Sequence, residues 1–165
     1  MTTPVLTSDH IFSDEEICHF LKQMEKDSIF TPECLVYYPY YFLEYEMKGK
    51  RWLGHVHKKI GCTIDSISGV GSLIDTSPEL SEAELKTNKV LDIQIPLSKA
   101  KVYGERFIGR SISYKMKIFR MPGITLTKES LFYRPYWIVK GMKKKKCFHL
   151  IVDALTGEFH PVGYK

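Results

Sequence analysis

The chain has 165 residues, 44% of them hydrophobic and 26% charged, a size and balance that fit one globular domain and exclude a disordered tail, a collagen-like rod and a disulfide-stapled miniprotein. The net charge of +5 hides an asymmetry, because residues 1–100 carry 10 Lys or Arg against 15 Asp or Glu whereas residues 101–165 carry 14 against 4. Such a basic half suits nucleic acid, anionic lipid or an acidic protein; mutual neutralisation inside one domain is the opposing reading.

Met1 to Phe12 is mixed polar and holds Asp9 without a Lys or Arg, unlike a secretory signal. No stretch approaches the length of a membrane span. Cys18, Cys34, Cys62 and Cys147 form no Cys-x-x-Cys pair, so free thiols in a reducing cytoplasm are expected.

Ser13 and Glu16 compose a capping box, and Ile17, Phe20, Leu21 and Met24 fall at i, i+3, i+4 and i+7, which predicts an amphipathic helix. From Leu35 the chain turns aromatic. Alternation through Phe42, Glu44 and Glu46 predicts a strand, Lys48-Gly49-Lys50 its reversal, and about Trp52 to Ile64 the return strand. Pro39 should mark a strand start, edge or bulge. Ser77-Pro78-Glu79 with Ser81 and Glu84 predicts a short acidic helix, and Val90 to Ile95 a strand. A weaker helix is expected from about Ser98 to Ile108, with Gly104 against it. Ile112, Tyr114, Met116 and Ile118 alternate with Ser113, Lys115 and Lys117 as an amphipathic strand, which Ile124 to Thr127 would partner after a Met121-Pro122-Gly123 turn. Phe132 to Lys140 and Cys147 to Val152 then form a second hairpin around Gly141 to Lys146.

The two hairpin regions match each other. Leu35 to Leu43 aligns with Leu131 to Val139 without a gap and keeps Leu, Tyr, Pro and Tyr in place, while Cys62 to Gly69 aligns with Leu150 to Gly157, both closing on Asp-x-x-[Ser/Thr]-Gly. An Asp can accept a backbone amide two residues on and Gly can take positive φ, so that ending is a turn. The expected class is α+β, with antiparallel sheet built from two pseudo-repeated helix-plus-β-hairpin units. They span about 13–75 and 97–162, are joined by an acidic connector over 76–96, and lie within a single compact domain over 1–165.

Leu150 to Phe159, with its apolar run into Asp-Ala-x-Thr-Gly-Glu, resembles the closing strand and turn of PepSY-type domains, best over residues 131–162. The resemblance implies a helix followed by antiparallel strands and a role beside peptidases, usually outside the cytoplasm. The first copy departs from it at Ser66 and Ser68, and the Tyr-x-Pro-Tyr element is not general in that family.

Several constellations could carry chemistry. His55, His57, Cys62 and His149 could hold a metal, yet no carboxylate accompanies them, and strand-borne imidazoles on a solvated face are commoner. Cys62 or Cys147 beside one of those histidines could form a nucleophile and base, against buried cysteine as a small hydrophobe. Gly69-Val70-Gly71-Ser72 lacks the ending of a phosphate loop. A basic patch of Lys115, Lys117, Lys143, Lys144, Lys145 and Lys146, extended by Arg120 and Arg134, could grip phosphates, or be a solvated hairpin tip. The twin aromatic clusters exceed what core packing needs. The expectation is therefore a noncatalytic module without metal or cofactor, binding a protein or peptide through Tyr40, Tyr41, Tyr136 and Trp137. Nucleic-acid binding through the basic hairpin and stripe is the alternative.

Overall fold

The structure, a computed structural model, describes residues 1–9, 11–50, 54–116 and 123–162. Its elements are β1 (Thr2–Thr7), α1 (Asp14–Met24), β2 (Ile29–Lys50), β3 (His55–Asp65), β4 (Gly71–Ile74), β5 (Ser81–Lys86), a 3-10 turn at Thr87–Lys89, α2 (Leu97–Met116), β6 (Gly123–Lys143), β7 (Lys146–Asp153) and β8 (Phe159–Pro161). The class is α+β, with a mixed sheet that is mostly antiparallel. The chain groups into two compact units: a terminal unit of Met1–Tyr38, Leu80–Leu91 and Tyr133–Lys165, and a central unit of Pro39–Glu79 and Asp92–Phe132. Both long strands, β2 and β6, contribute a segment to each.

In the terminal unit α1 starts as expected. The Glu16 amide donates to Ser13 Oγ at 3.2 Å and the Ser13 amide to Glu16 Oε2 at 2.8 Å, which satisfies donors that no helical carbonyl reaches. Ile17 and Leu21 bury the apolar stripe against Val139, Leu150 and Val152 of the β6–β7 hairpin. β1, for which the sequence offered no expectation, pairs along its length with antiparallel β5 and meets β6 in parallel at Tyr133.

The central unit is built from the β2–β3 hairpin, β4, α2 and the first part of β6. Ala100, Ile108 and Ile112 of α2 pack on Tyr41, Leu43, Tyr45, Met47, Cys62 and Ile64, so the helix covering this hairpin is the one that follows it in the chain. A Cβ on Gly104 would come 2.7 Å from both Leu43 Cδ1 and Tyr45 Oη. The glycine that argued against a helix is the residue that lets this helix lie close to its strands.

Other expectations are corrected. The amphipathic strand expected from Ile112 is the last part of α2: Ile112 lies one turn after buried Ile108 and is itself buried, while Tyr114 faces solvent, so the helical period prevails over a two-residue alternation. Ile118 and the turn at Met121-Pro122 fall outside the described residues, and Ile124 to Thr127 opens β6. In place of a short acidic helix stands β5, where Ser81, Ala83 and Leu85 are half-buried and Glu82, Glu84 and Lys86 exposed, a period of two. Val90 makes only an isolated bridge to Tyr37, and no strand follows it through Ile95. Pro39 and Pro135 lie fully buried inside β2 and β6 rather than at strand starts. Neither can donate a hydrogen bond, but the Pro39 carbonyl accepts from Ser66 N–H at 3.2 Å and Ser66 Oγ at 2.9 Å, and that of Pro135 from Ala154 N–H at 3.1 Å. Pro39 is the first residue that β2 gives to the central unit, and Pro135 the third that β6 gives to the terminal unit.

Candidate functional site

The aromatic elements sit beside two turns that share one hydrogen-bond pattern. In the central unit Asp65 Oδ1 accepts the amides of Ile67 (2.7 Å) and Ser68 (3.0 Å), Gly69 N–H donates to the Asp65 carbonyl, and Val70 N–H donates to Ser68 Oγ. In the terminal unit Asp153 Oδ1 accepts Leu155 (2.8 Å) and Thr156 (3.3 Å), Gly157 N–H donates to the Asp153 carbonyl, and Glu158 N–H donates to Thr156 Oγ1. Gly69 and Gly157 have φ of +78° and +77°, the left-handed region that a side chain would strain. The Asp that opens each turn is also the last paired residue of the preceding hairpin: Tyr40 stands opposite Asp65 and Tyr41 opposite Ile64, as Tyr136 stands opposite Asp153 and Trp137 opposite Val152.

That register divides the four expected binding residues. Tyr41 is only 5% exposed and its hydroxyl donates to the Ile95 carbonyl at 3.0 Å; burial raises its phenol pKa. Trp137 packs beside the α1 cluster and its indole N–H donates to the Phe12 carbonyl at 2.9 Å. Both are occupied in holding their units together. Tyr40 and Tyr136 remain half-exposed. In the central unit Tyr40 stacks on Phe132, with centroids 5.8 Å apart and planes at 24°. In the terminal unit Tyr136 meets Tyr38 edge-on at 6.0 Å and 72°. Alternation along β2 places Tyr40 on the side opposite Tyr41, Leu43 and Tyr45, away from α2. The ring partners Phe132 and Tyr38 were missed as site residues, although each lies within a Tyr-x-Pro-Tyr element or next to one.

The basic residues are divided between the two units. Lys115 is exposed on α2 in the central unit, and Lys117 and Arg120 lie outside the described residues. Lys143 to Lys146 form the tip of the β6–β7 hairpin in the terminal unit. Lys143 pairs with Glu25 at 2.8 Å. That hydrogen bond holds the Glu25 carboxyl below, and the Lys143 ammonium above, their ordinary ranges. Lys144, Lys145 and Lys146 are exposed. Arg134 pairs with Asp153 at 2.6 Å instead of extending the patch.

Cys62 and the two imidazoles of β3 lie on opposite faces of that strand, whereas Cys147 and His149 stand two residues apart on β7. Cys62 is fully buried beneath α2, and burial pushes its thiol up to about 12. His55 and His57 are exposed on β3 at positions of opposite parity, hence on the other face. His57 bonds the Glu46 carboxylate, which that bond and Lys48 hold below its ordinary range. His149 meets Glu33 at 3.3 Å, and Cys147 is exposed. Among the described residues no three His, Cys, Asp or Glu side chains come together as a metal site, and no helix is long and apolar enough to cross a membrane.

No protein-family model matches the chain, and neither a curated protein nor a solved structure matches it significantly.

Proposed function

We propose that this protein is a noncatalytic, PepSY-like binding or regulatory module of the cytoplasm, assembled from two pseudo-repeated helix-plus-hairpin units, and that Tyr40 and Tyr136 recognise a protein or peptide partner. The observation carrying this reading is the equivalence of the two rings. Each stands opposite the Asp of its turn and stays half-exposed, while the next residue along, Tyr41 or Trp137, is tied inward by its polar atom. Half-exposed tyrosines held by a neighbouring ring offer a partner large contact area at little entropic cost. The hairpin tip is a weaker candidate for nucleic acid, because Lys143 is already paired with Glu25.

Selection of peptides from a displayed library against the intact chain, followed by titration of the selected peptide, tests the reading. Tyr40→Ala or Tyr136→Ala should weaken binding about tenfold or more, the range of an aromatic hot spot, while lowering the melting temperature far less than Tyr41→Ala does. Unchanged affinity together with a Tyr41-like loss of stability would make both rings core residues and overturn the proposal.

A further inference from the structure

The part of α2 mistaken for a strand changes what its side chains can do together. Arg106, Arg110 and Tyr114 are spaced i, i+4 and i+8 and occupy one row of the helix, one turn or about 6 Å of axis apart. All three are exposed, Tyr114 to 89%. With Glu105, Gly109, Ser113 and Ile124 they line an open depression of about 840 Å³ within the central unit. Gly109 and Ile124 contribute little polarity, so the charge of the site is that of the two guanidiniums set against the Glu105 carboxylate. Neither guanidinium has an ion-pair partner among the described residues. By contrast Lys101, one turn earlier, is neutralised by Glu129 at 2.6 Å.

We infer that this row binds single-stranded nucleic acid, with Arg106 and Arg110 on successive backbone phosphates and the Tyr114 ring as a platform for a base. Two cations repeating along one direction match an anion that repeats along its own length, and the planar guanidinium fork suits phosphate oxygens. An exposed aromatic ring continuing the row supplies the sequence-tolerant stacking that single strands use. An isolated phosphate would need neither the repeat nor the ring. This site is separate from the Tyr40 and Tyr136 surface and does not rest on that proposal.

Fluorescence anisotropy of a labelled twelve-residue oligothymidylate with the intact chain, from 50 to 200 mM salt, tests it. With two phosphates engaged, the log–log dependence of affinity on salt should have a slope of about −1.4. Arg106→Ala and Arg110→Ala should each weaken binding and flatten the slope by about 0.7. Tyr114→Ala should cost about tenfold without changing the slope, and Glu105→Gln should tighten binding. These are surface positions, and unchanged circular dichroism spectra would verify that each variant folds. Absence of binding at 50 mM salt would overturn the inference. So would loss of binding through Lys144→Ser with Lys145→Ser while the α2 variants behave as the parent, or full displacement by inorganic tripolyphosphate with no effect of Tyr114→Ala. Tighter binding of a phosphoserine peptide of equal length would overturn it in favour of a phosphoprotein.

Discussion

Arg134 Nη2 lies 2.6 Å from Asp153 Oδ2, while Oδ1 of the same carboxylate accepts the amides of Leu155 and Thr156. Asp153 is only 7% exposed, so the guanidinium compensates a charge that water barely reaches. Arg134→Ala should lower unfolding free energy by about 1–3 kcal/mol, because a desolvated carboxylate loses its partner. Urea denaturation measures this. A loss no larger than that of a surface pair would show the carboxylate to be well solvated without Arg134.

Gly104→Ala sets helix propensity against space. In an exposed helix the change would stabilise by about 1 kcal/mol, but here the new methyl meets Leu43 and Tyr45 at 2.7 Å. Overpacking of that kind costs about 1–3 kcal/mol, so the expected outcome is a lower melting temperature. A higher one would mean that the strands below α2 yield at no cost.

Iodoacetamide at pH 8 should distinguish the four thiols. Cys34 and Cys147 are exposed and should react first. Cys18 is partly buried, and burial followed by the charge of Asp14 raises its pKa, so it should lag. Cys62, buried and shifted to about 12, should be modified only in denaturant. Mass spectrometry of timed samples reads the order, and early labelling of Cys62 would place it in a region that opens readily.

The Glu25–Lys143 pair makes stability depend on pH in two directions. The lowered Glu25 pKa contributes stability above its ordinary value of 4.5, lost as pH falls through the folded value. The raised Lys143 pKa contributes stability below its ordinary 10.5, lost as pH rises through the folded value. Lys143→Met should therefore shrink the difference in melting temperature between pH 7 and pH 3, and the effect should fade in salt because the pair is solvated. An unchanged difference would show that the pair does not form in solution.

Local signals made part of this architecture legible. The capping box and apolar stripe of α1 lie within one short segment, and the Asp-x-x-[Ser/Thr]-Gly turns carry their own hydrogen bonds, so both could be read from neighbours in sequence. The end of α2 could not be read in this way, since Ile112, Tyr114 and Met116 alternate with Ser113 and Lys115 as in a strand, and only the burial of Ile108 and Ile112 against the β2–β3 hairpin decides for the helical period. Ending that helix early also detached Tyr114 from Arg106 and Arg110, although their four-residue spacing was there to be counted. The fates of Tyr40 and Tyr41 differ through the Ile95 carbonyl, far along the chain and without a local signature.

The order in which the chain is made gives the terminal unit a particular vulnerability. Phe12 receives its hydrogen bond from Trp137 across 125 positions, and Thr7 bonds the Tyr133 carbonyl across 126. At ribosomal speed that separation is about 6–25 s, during which Ile17 and Leu21 of α1 wait for the hairpin that will cover them. The central unit already has all its strands and its helix by Phe132. A nascent chain halted there would carry a finished centre and an uncovered greasy helix at its leading end, the kind of surface that chaperones hold and proteases find.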